Sequence, residues 1–194
     1  MGRPKAFLSL GGRPLIVWVL ERLRDLFCEV LIVSPETEPF SHLGVRVVPD
    51  HRPGSGPLGG ALTGIAEASR PRALVVGCDM PLLCPPLLAH LVARLGAHAA
   101  VVPRTSDGLH PLHAVYARRA LESLSRCLAG GALKFTDAVE ATDRLEIGEA
   151  EIRRFDPELH SLFNVNRPED AARAQKLLEA RSATGPAGER AHEG

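Results

Sequence analysis

A three-layer α/β/α sandwich, with helices on both faces of a mostly parallel sheet, is the fold class this sequence predicts. Three observations carry the prediction. Short β-branched runs without polar alternation, such as Val30-Leu31-Ile32-Val33 and Ala73 to Cys78, fit strands buried on both faces. Between such runs lie stretches with apolar residues at helical spacing. The two kinds of segment alternate along the chain, the ordering from which sheets sandwiched by helices are built.

Taken in order, Pro14 to Phe27 places Leu15, Ile16, Val19, Leu20, Leu23 and Leu26 on one helical face, with Glu21, Arg22, Arg24 and Asp25 opposite. Val30 to Val33 reads as a strand, and Val45 to Val48 as the next, ended by Pro49-Asp50. The stretch P-G-S-G-P-L-G-G-A-L-T-G-I (Pro53 to Ile65) begins as a glycine-rich loop and becomes helical through about Ser69. Ala73 to Cys78 is the clearest strand. Pro85 and Pro86 open a helix to about Leu95, as proline suits a first helical turn. Ala99 to Val102 and Leu112 to Ala117 read as strands, Ala120 to Leu128 as helix, and Arg167 to Ala180 as a final amphipathic helix. From Arg181 onward apolar periodicity stops. The expectation is one domain over 1–180 and a disordered tail over 181–194, with no internal repeat.

A chain of 194 residues suffices for one substantial core. Its 23 basic and 23 acidic residues cancel, which argues against an overall field that gathers nucleic acid or anionic lipid. No apolar run nears the roughly 18 residues that span a bilayer, and no charged-then-apolar leader opens the sequence. A reduced, cytoplasmic protein is expected. Cys28, Cys78, Cys84 and Cys127 form no C-x-x-C pair and read as buried free thiols.

Ligands of open α/β sheets gather at the carboxyl ends of strands. Asp79, directly after a strand in C-D-M-P-L-L, is placed to hold a divalent cation or to cap the following helix. Asp50 follows its strand in the same way and either contacts a nucleotide or closes a turn. The glycines from Gly54 to Gly60 offer backbone N–H groups and close approach, but turns also collect glycine. Lys5, between Arg3 and the strand-like A-F-L-S-L, is either a phosphate contact or a solvated surface lysine. His110 and His113 lack the spacing of a zinc helix and read as pocket-lining or surface residues. Asn164 and Asn166, at alternate positions in F-N-V-N-R-P-E-D, point the same way and either hold a ligand oxygen or cap a helix.

Taken together, G-R-P-K, G-G-R-P-L-I, P-G-S-G-P-L-G-G, C-D-M-P-L-L, H-P-L and N-V-N-R-P-E-D closely resemble the molybdenum cofactor guanylyltransferases, members of a larger nucleotidyltransferase group. The match runs in order from Met1 to about Gln175. The resemblance implies transfer of GMP from GTP to the terminal phosphate of molybdenum-bound molybdopterin, releasing pyrophosphate. It implies that Lys5 contacts the triphosphate, Asp79 binds Mg2+, and Asp50 contacts the GTP. It further implies that Gly59 and its neighbours let the nucleotide approach the backbone, and that Asn164 and Asn166 lie by the metal and phosphate or by the pterin phosphate. Molybdoenzymes or their chaperones are the delivery partners it suggests.

The sequence departs from the family's pattern at its start. Family members open with a strand running into L-A-G-G-x-x-x-R-M-G-x-x-K, and only M-G-R-P-K stands here. The expectation is that Met1 is an internal methionine and that a central strand lies upstream. The rival enzyme reading is a molybdopterin cytidylyltransferase or another nucleotidyltransferase. The rival outside enzymes is a truncated, inactive nucleotide-binding fold.

Overall fold

The computed structural model describes residues 5–131 and 134–183. A 3-10 turn, Lys5–Phe7, leads into a small hairpin of β1 (Ser9–Leu10) and β2 (Arg13–Pro14). Gly11 and Gly12 close it with φ of 59° and 77°, the left-handed pair that a two-residue turn needs to match strand twist. Then come α1 (Leu15–Arg24), β3 (Leu31–Ser34), β4 (Arg46–Pro49), α2 (Gly56–Glu67), β5 (Arg72–Val76) and α3 (Pro85–Arg94). The second half holds β6 (Ala100–Thr105), β7 (Gly108–Leu109), β8 (His113–Ala117), α4 (Ala120–Ala129) and α5 (Phe135–Glu140). It ends with β9 (Arg144–Gly148), α6 (Glu149–Ile152) and α7 (Pro168–Ala183).

The three layers follow from alternation along the strands. Ala73, Val75, Ala100, Val102, Ala114 and Tyr116 pack against α2, α4 and α5. Their neighbours Leu74, Val101, Val115, Ala117 and Ile147 pack on the opposite face against α3 and α6. Both faces are covered, which is why these strands carry few polar residues.

The sheet is not mostly parallel, contrary to the expectation. β3 and β4 pair in parallel, as do β6 and β9, but β8 pairs antiparallel with both β5 and β6, and β7 antiparallel with β6. The cause is the connection over residues 106–112. It has room for a turn and β7, whereas a parallel return needs a crossover of about a dozen residues or more. The β3–β4 pair is also a separate sheet from the five-stranded one, and α2 packs against both β3 and β5.

Other expectations shift locally. A-F-L-S-L is a 3-10 turn followed by two strand residues rather than one strand. The last helix continues through Ala183, so residues 181–183 are helical, while 184–194 lie outside the described residues. None of the four cysteines is in a disulfide, but Cys28 and Cys78 are exposed and Cys84 and Cys127 only half-buried.

His113 is neither on the surface nor at a pocket wall. It is fully buried, and desolvation, helped by nearby His110, pushes its pKa down to about 3. The unfolded imidazole titrates near 6.5, so between about pH 6.5 and 3 the unfolded chain binds the extra proton. Stability contributed by His113 is therefore present above that window and lost as pH falls through it, at about 1.4 kcal/mol per pH unit. Denaturant titrations from pH 7 to pH 4 should show this added slope in the native chain and not in His113→Gln. Equal slopes would assign the acid sensitivity to other groups.

Candidate active site

Three segments far apart in the chain meet beyond the end of β5. Asp79 Oδ2 lies 2.5 Å from Lys5 Nζ, and the same ammonium donates to Asn166 Oδ1. The backbone N–H of Val165 donates to Asp79 O at 2.8 Å, tying the third segment to the first strand end. An apolar cluster enforces this meeting. Leu10, Leu15, Leu82, Val165, Ala174 and Leu178 join the hairpin, the start of α1, the loop after Asp79 and α7 around the fully buried Leu82. Burying that cluster brings Lys5 and Asn166 to Asp79.

The alternative roles as helix caps do not hold. Helix α3 has Cys84 as its N-cap residue, and Ser161 Oγ accepts the Cys84 N–H at 2.9 Å. Pro85 and Pro86 have no N–H to satisfy, so Asp79 is not needed as a cap. At α7 the Asp170 carboxylate reaches back to accept the N–H groups of Asn166 at 2.9 Å and Arg167 at 2.8 Å. Those two bonds, helped by the charges of Arg167 and Lys5, hold the Asp170 carboxyl below its usual range. The Asn166 side chain is thereby left to Lys5. Val165 is buried between exposed Asn164 and Asn166, so the two asparagines alternate as expected, although Asn164 is not drawn to Lys5.

Gly77 is a determinant that the sequence reading passed over. A methyl on its Cα would stand 2.5 Å from Asp79 Oδ1 and about van der Waals distance from Met80. The carboxylate folds back over the glycine, and any side chain there displaces it. Gly77→Ala should lower turnover about a hundredfold with a melting temperature near that of the native chain, the cost expected for a misplaced reacting group. Unchanged turnover would mean that Asp79 tolerates the shift. The legible signal was a glycine two residues before the carboxylate in V-G-C-D.

The glycine-rich segment forms a different constellation. Asp50 Oδ1 accepts from Arg52 N–H at 2.9 Å and from Thr63 Oγ1 at 3.1 Å, closing the turn that leads into α2. A methyl at Gly59 would stand 2.7 Å from Ser55 Cβ and 2.8 Å from Arg52 O. The chain's own turn therefore needs glycine at position 59, because any side chain there would meet Ser55 and Arg52. Gly60 has no atom within 4 Å of the equivalent position. No hydrogen bond joins Asp50 or Gly59 to Lys5, Asp79 or Asn166: Asp50 follows β4 and Gly59 lies in the first turn of α2.

The Cys78 thiol beside Asp79 is pushed up by desolvation and then by the Asp79 charge, with Lys5 opposing, so it is poorly suited to act as a nucleophile. As a donor set for a metal, Asp79 and Asn166 supply hard oxygens that already converge on one cation, the Lys5 ammonium. Among the described residues no three His, Cys, Asp or Glu side chains gather into a metal-holding group. Such a set suits magnesium, which takes one or two carboxylates and completes its shell with phosphate oxygens and water.

A family model described as a MobA-like NTP transferase domain matches residues 1–144. A probable molybdenum cofactor guanylyltransferase of Pelotomaculum thermopropionicum is 34% identical over 179 residues, 92% of this chain and 87% of that protein. One from Chloroflexus aggregans is 36% identical over 190 residues, covering 91% of each chain. Among solved structures, molybdopterin-guanine dinucleotide biosynthesis protein A of Archaeoglobus fulgidus superposes with a TM-score of 0.80 at 28% identity, covering 92% of each chain. The 2-C-methyl-D-erythritol 4-phosphate cytidylyltransferase of Thermus thermophilus shares the fold at 22% identity, with a TM-score of 0.68 over 91% of this chain and 94% of that one. With a matching model over most of its length and such relatives along nearly all of it, the chain belongs to the MobA-like NTP transferase family.

Proposed function

We propose that the protein transfers GMP from GTP to the terminal phosphate of molybdenum-bound molybdopterin, forming the guanine dinucleotide cofactor and pyrophosphate. The observation that carries the proposal is the convergence of Lys5, Asp79 and Asn166 at the end of β5, in a chain whose relatives are named for this activity. An oxygen of the acceptor phosphate attacks the α-phosphorus of GTP. The bond from that phosphorus to the α–β bridging oxygen breaks, and its electron pair leaves on pyrophosphate.

The attacking phosphate has a second pKa near 6 and is largely anionic at neutral pH, so the chain need not supply a strong general base. Its work is to align two polyanions and to absorb charge on the leaving group. Lys5 offers the compact positive charge for the phosphates. Asp79, with Asn166 beside it, would hold Mg2+, which would offset charge on the phosphate oxygens. Asn164 faces the acceptor phosphate. Asp50 and the turn it organises contact the GTP from the end of the β3–β4 pair. Among the described residues no helix is long and apolar enough to cross a membrane. We place the reaction in the cytoplasm, with molybdoenzymes or their chaperones as recipients of the product.

The test is pyrophosphate release by the full chain from GTP or CTP, with Mg2+ and molybdenum-bound molybdopterin. Release with GTP should exceed that with CTP about a hundredfold, because a site built to hydrogen-bond one base leaves polar groups unpaired with the other. Preference for CTP would make the protein a cytidylyltransferase, and release with neither would overturn the catalytic reading.

A further inference from the structure

A fully buried histidine on a strand of a well-packed sheet requires explanation, since a neutral apolar residue would fill the same space without a polar atom to satisfy. His113 is at 0% exposure, and its Nε2 lies 3.3 Å from Ser161 Oγ, also at 0% exposure. That hydroxyl oxygen accepts the backbone N–H of Cys84 at 2.9 Å. The Ser161 N–H donates to Asp156 Oδ2 at 2.6 Å, and Asp156 is itself only 3% exposed. The imidazole therefore ends a buried chain of hydrogen bonds that crosses from β8 to the start of α3 and to the segment after α6.

The two strands of backbone that this chain joins are those that carry the site. Cys84 closes the loop that begins at Gly77 and contains Asp79. Ser161 opens the segment that runs through Val165 to Asn166. Residues next to His113 hold the other end of the first loop. Leu112 O accepts the Gly77 N–H at 3.1 Å, and the turn before it is tied by Tyr116 Oη, which donates to Pro111 O at 2.9 Å. The Asp79 loop is thus held at its entry by Leu112 and at its exit by Ser161. The Asn166 segment is held at its start by His113 and near its end by the Val165 bond to Asp79.

We infer that His113 and Ser161 form an internal clamp that sets the spacing of Asp79 and Asn166, and that both are positioning residues for the transfer reaction. The inference deepens the proposed function and rests on it for its kinetic consequence. Neither side chain is bonded to Lys5, Asp79 or Asn166, so the clamp acts through backbone placement. A hydrogen bond suits this task better than an apolar contact because it fixes distance and direction together. Glutamine preserves the bond at position 113, since its amide both donates and accepts. Phenylalanine keeps a planar buried ring and removes the bond.

The test compares the full chain with His113→Phe, His113→Gln and Ser161→Ala. Two readouts are taken: steady-state kinetics with GTP, Mg2+ and molybdenum-bound molybdopterin, and amide hydrogen exchange in the absence of substrate. His113→Phe and Ser161→Ala should lose about tenfold to a hundredfold in kcat, with the KM for GTP within about threefold of the native value. His113→Gln should recover most of the loss. Exchange at the amides of Cys84 and Val165 should accelerate in His113→Phe and Ser161→Ala and return toward native protection in His113→Gln. Ser161→Ala carries the test if His113→Phe does not fold. Native protection and native kcat in a folded His113→Phe would overturn the clamp, as would equal losses in His113→Phe and His113→Gln. A native chain that makes no guanylylated product sinks the function instead, and the exchange pattern then still decides whether the clamp exists.

Discussion

Asp79→Ala is expected to lower turnover about a thousandfold while leaving the fold in place, equivalent to about 4 kcal/mol of lost transition-state stabilisation. The magnitude is that of a carboxylate holding a metal against phosphates whose charge moves during reaction. The fold should persist because α3 is capped through Cys84 and Ser161, not through Asp79. The apolar cluster that gathers the three site segments also contains no atom of Asp79. Turnover and melting temperature, measured on the same preparation, check both halves. A fall of less than tenfold with the fold intact would remove Asp79 from the metal site.

Lys5→Ala should cost about a hundredfold in kcat, the loss typical of removing one donor aimed at developing charge. Its ion pair with Asp79 is partly open to solvent, with 36% and 19% of the two side chains exposed. Pairs of that kind contribute at most about 1 kcal/mol, so the melting temperature should move little. Lys5→Arg should not restore full activity, because a planar fork does not present the compact point charge that Lys5 offers the phosphates. The informative measurement is the ratio of the two effects. A large thermal shift with normal turnover per folded molecule would make Lys5 a structural residue.

These effects depend on a site that was only partly legible along the chain. The helices α1, α3, α4 and α7 were legible because each carries an apolar stripe of helical period, and two of them begin with proline. The strands at Leu31, Arg46 and Arg72 were legible because each is a short run rich in β-branched residues without polar alternation, although the structure leaves them half-buried. The β1–β2 hairpin was missed because its strands are two residues long, too short for any periodicity. Helices α5 and α6 and strand β9 were missed for a related reason: each is only four to six residues long, and charged residues interrupt its few apolar ones.

Sheet direction was misread because nothing in a strand's composition reports its partner. It is the length of the connection over residues 106–112 that turns β8 back antiparallel between β5 and β6. The two caps proposed for Asp79 and Asn166 were reasonable from local spacing, but the groups that cap these helices, Ser161 and Asp170, are themselves placed by folding. At Gly59 the glycine-rich pattern alone does not show that the local turn requires it, since the groups a side chain would meet, Arg52 and Ser55, are placed by folding.

What the sequence determined by itself is therefore the set of elements with strong periodicity, the strand-end positions of Asp50 and Asp79, and membership in a recognisable set of motifs. Those properties are local, since they depend on residues within a few positions of one another. What only the tertiary structure decided is which of the candidate residues meet. Lys5, Asp79 and Asn166 converge because residues around Leu82 bury one another and draw three distant segments together, whereas Asp50 is drawn to Thr63 and Arg52 instead. The same holds for His113, whose role arises from a serine on a distant segment. Burial and hydrogen bonding between remote positions select partners by geometry, and geometry at that range is a property of the packed core rather than of any stretch of chain.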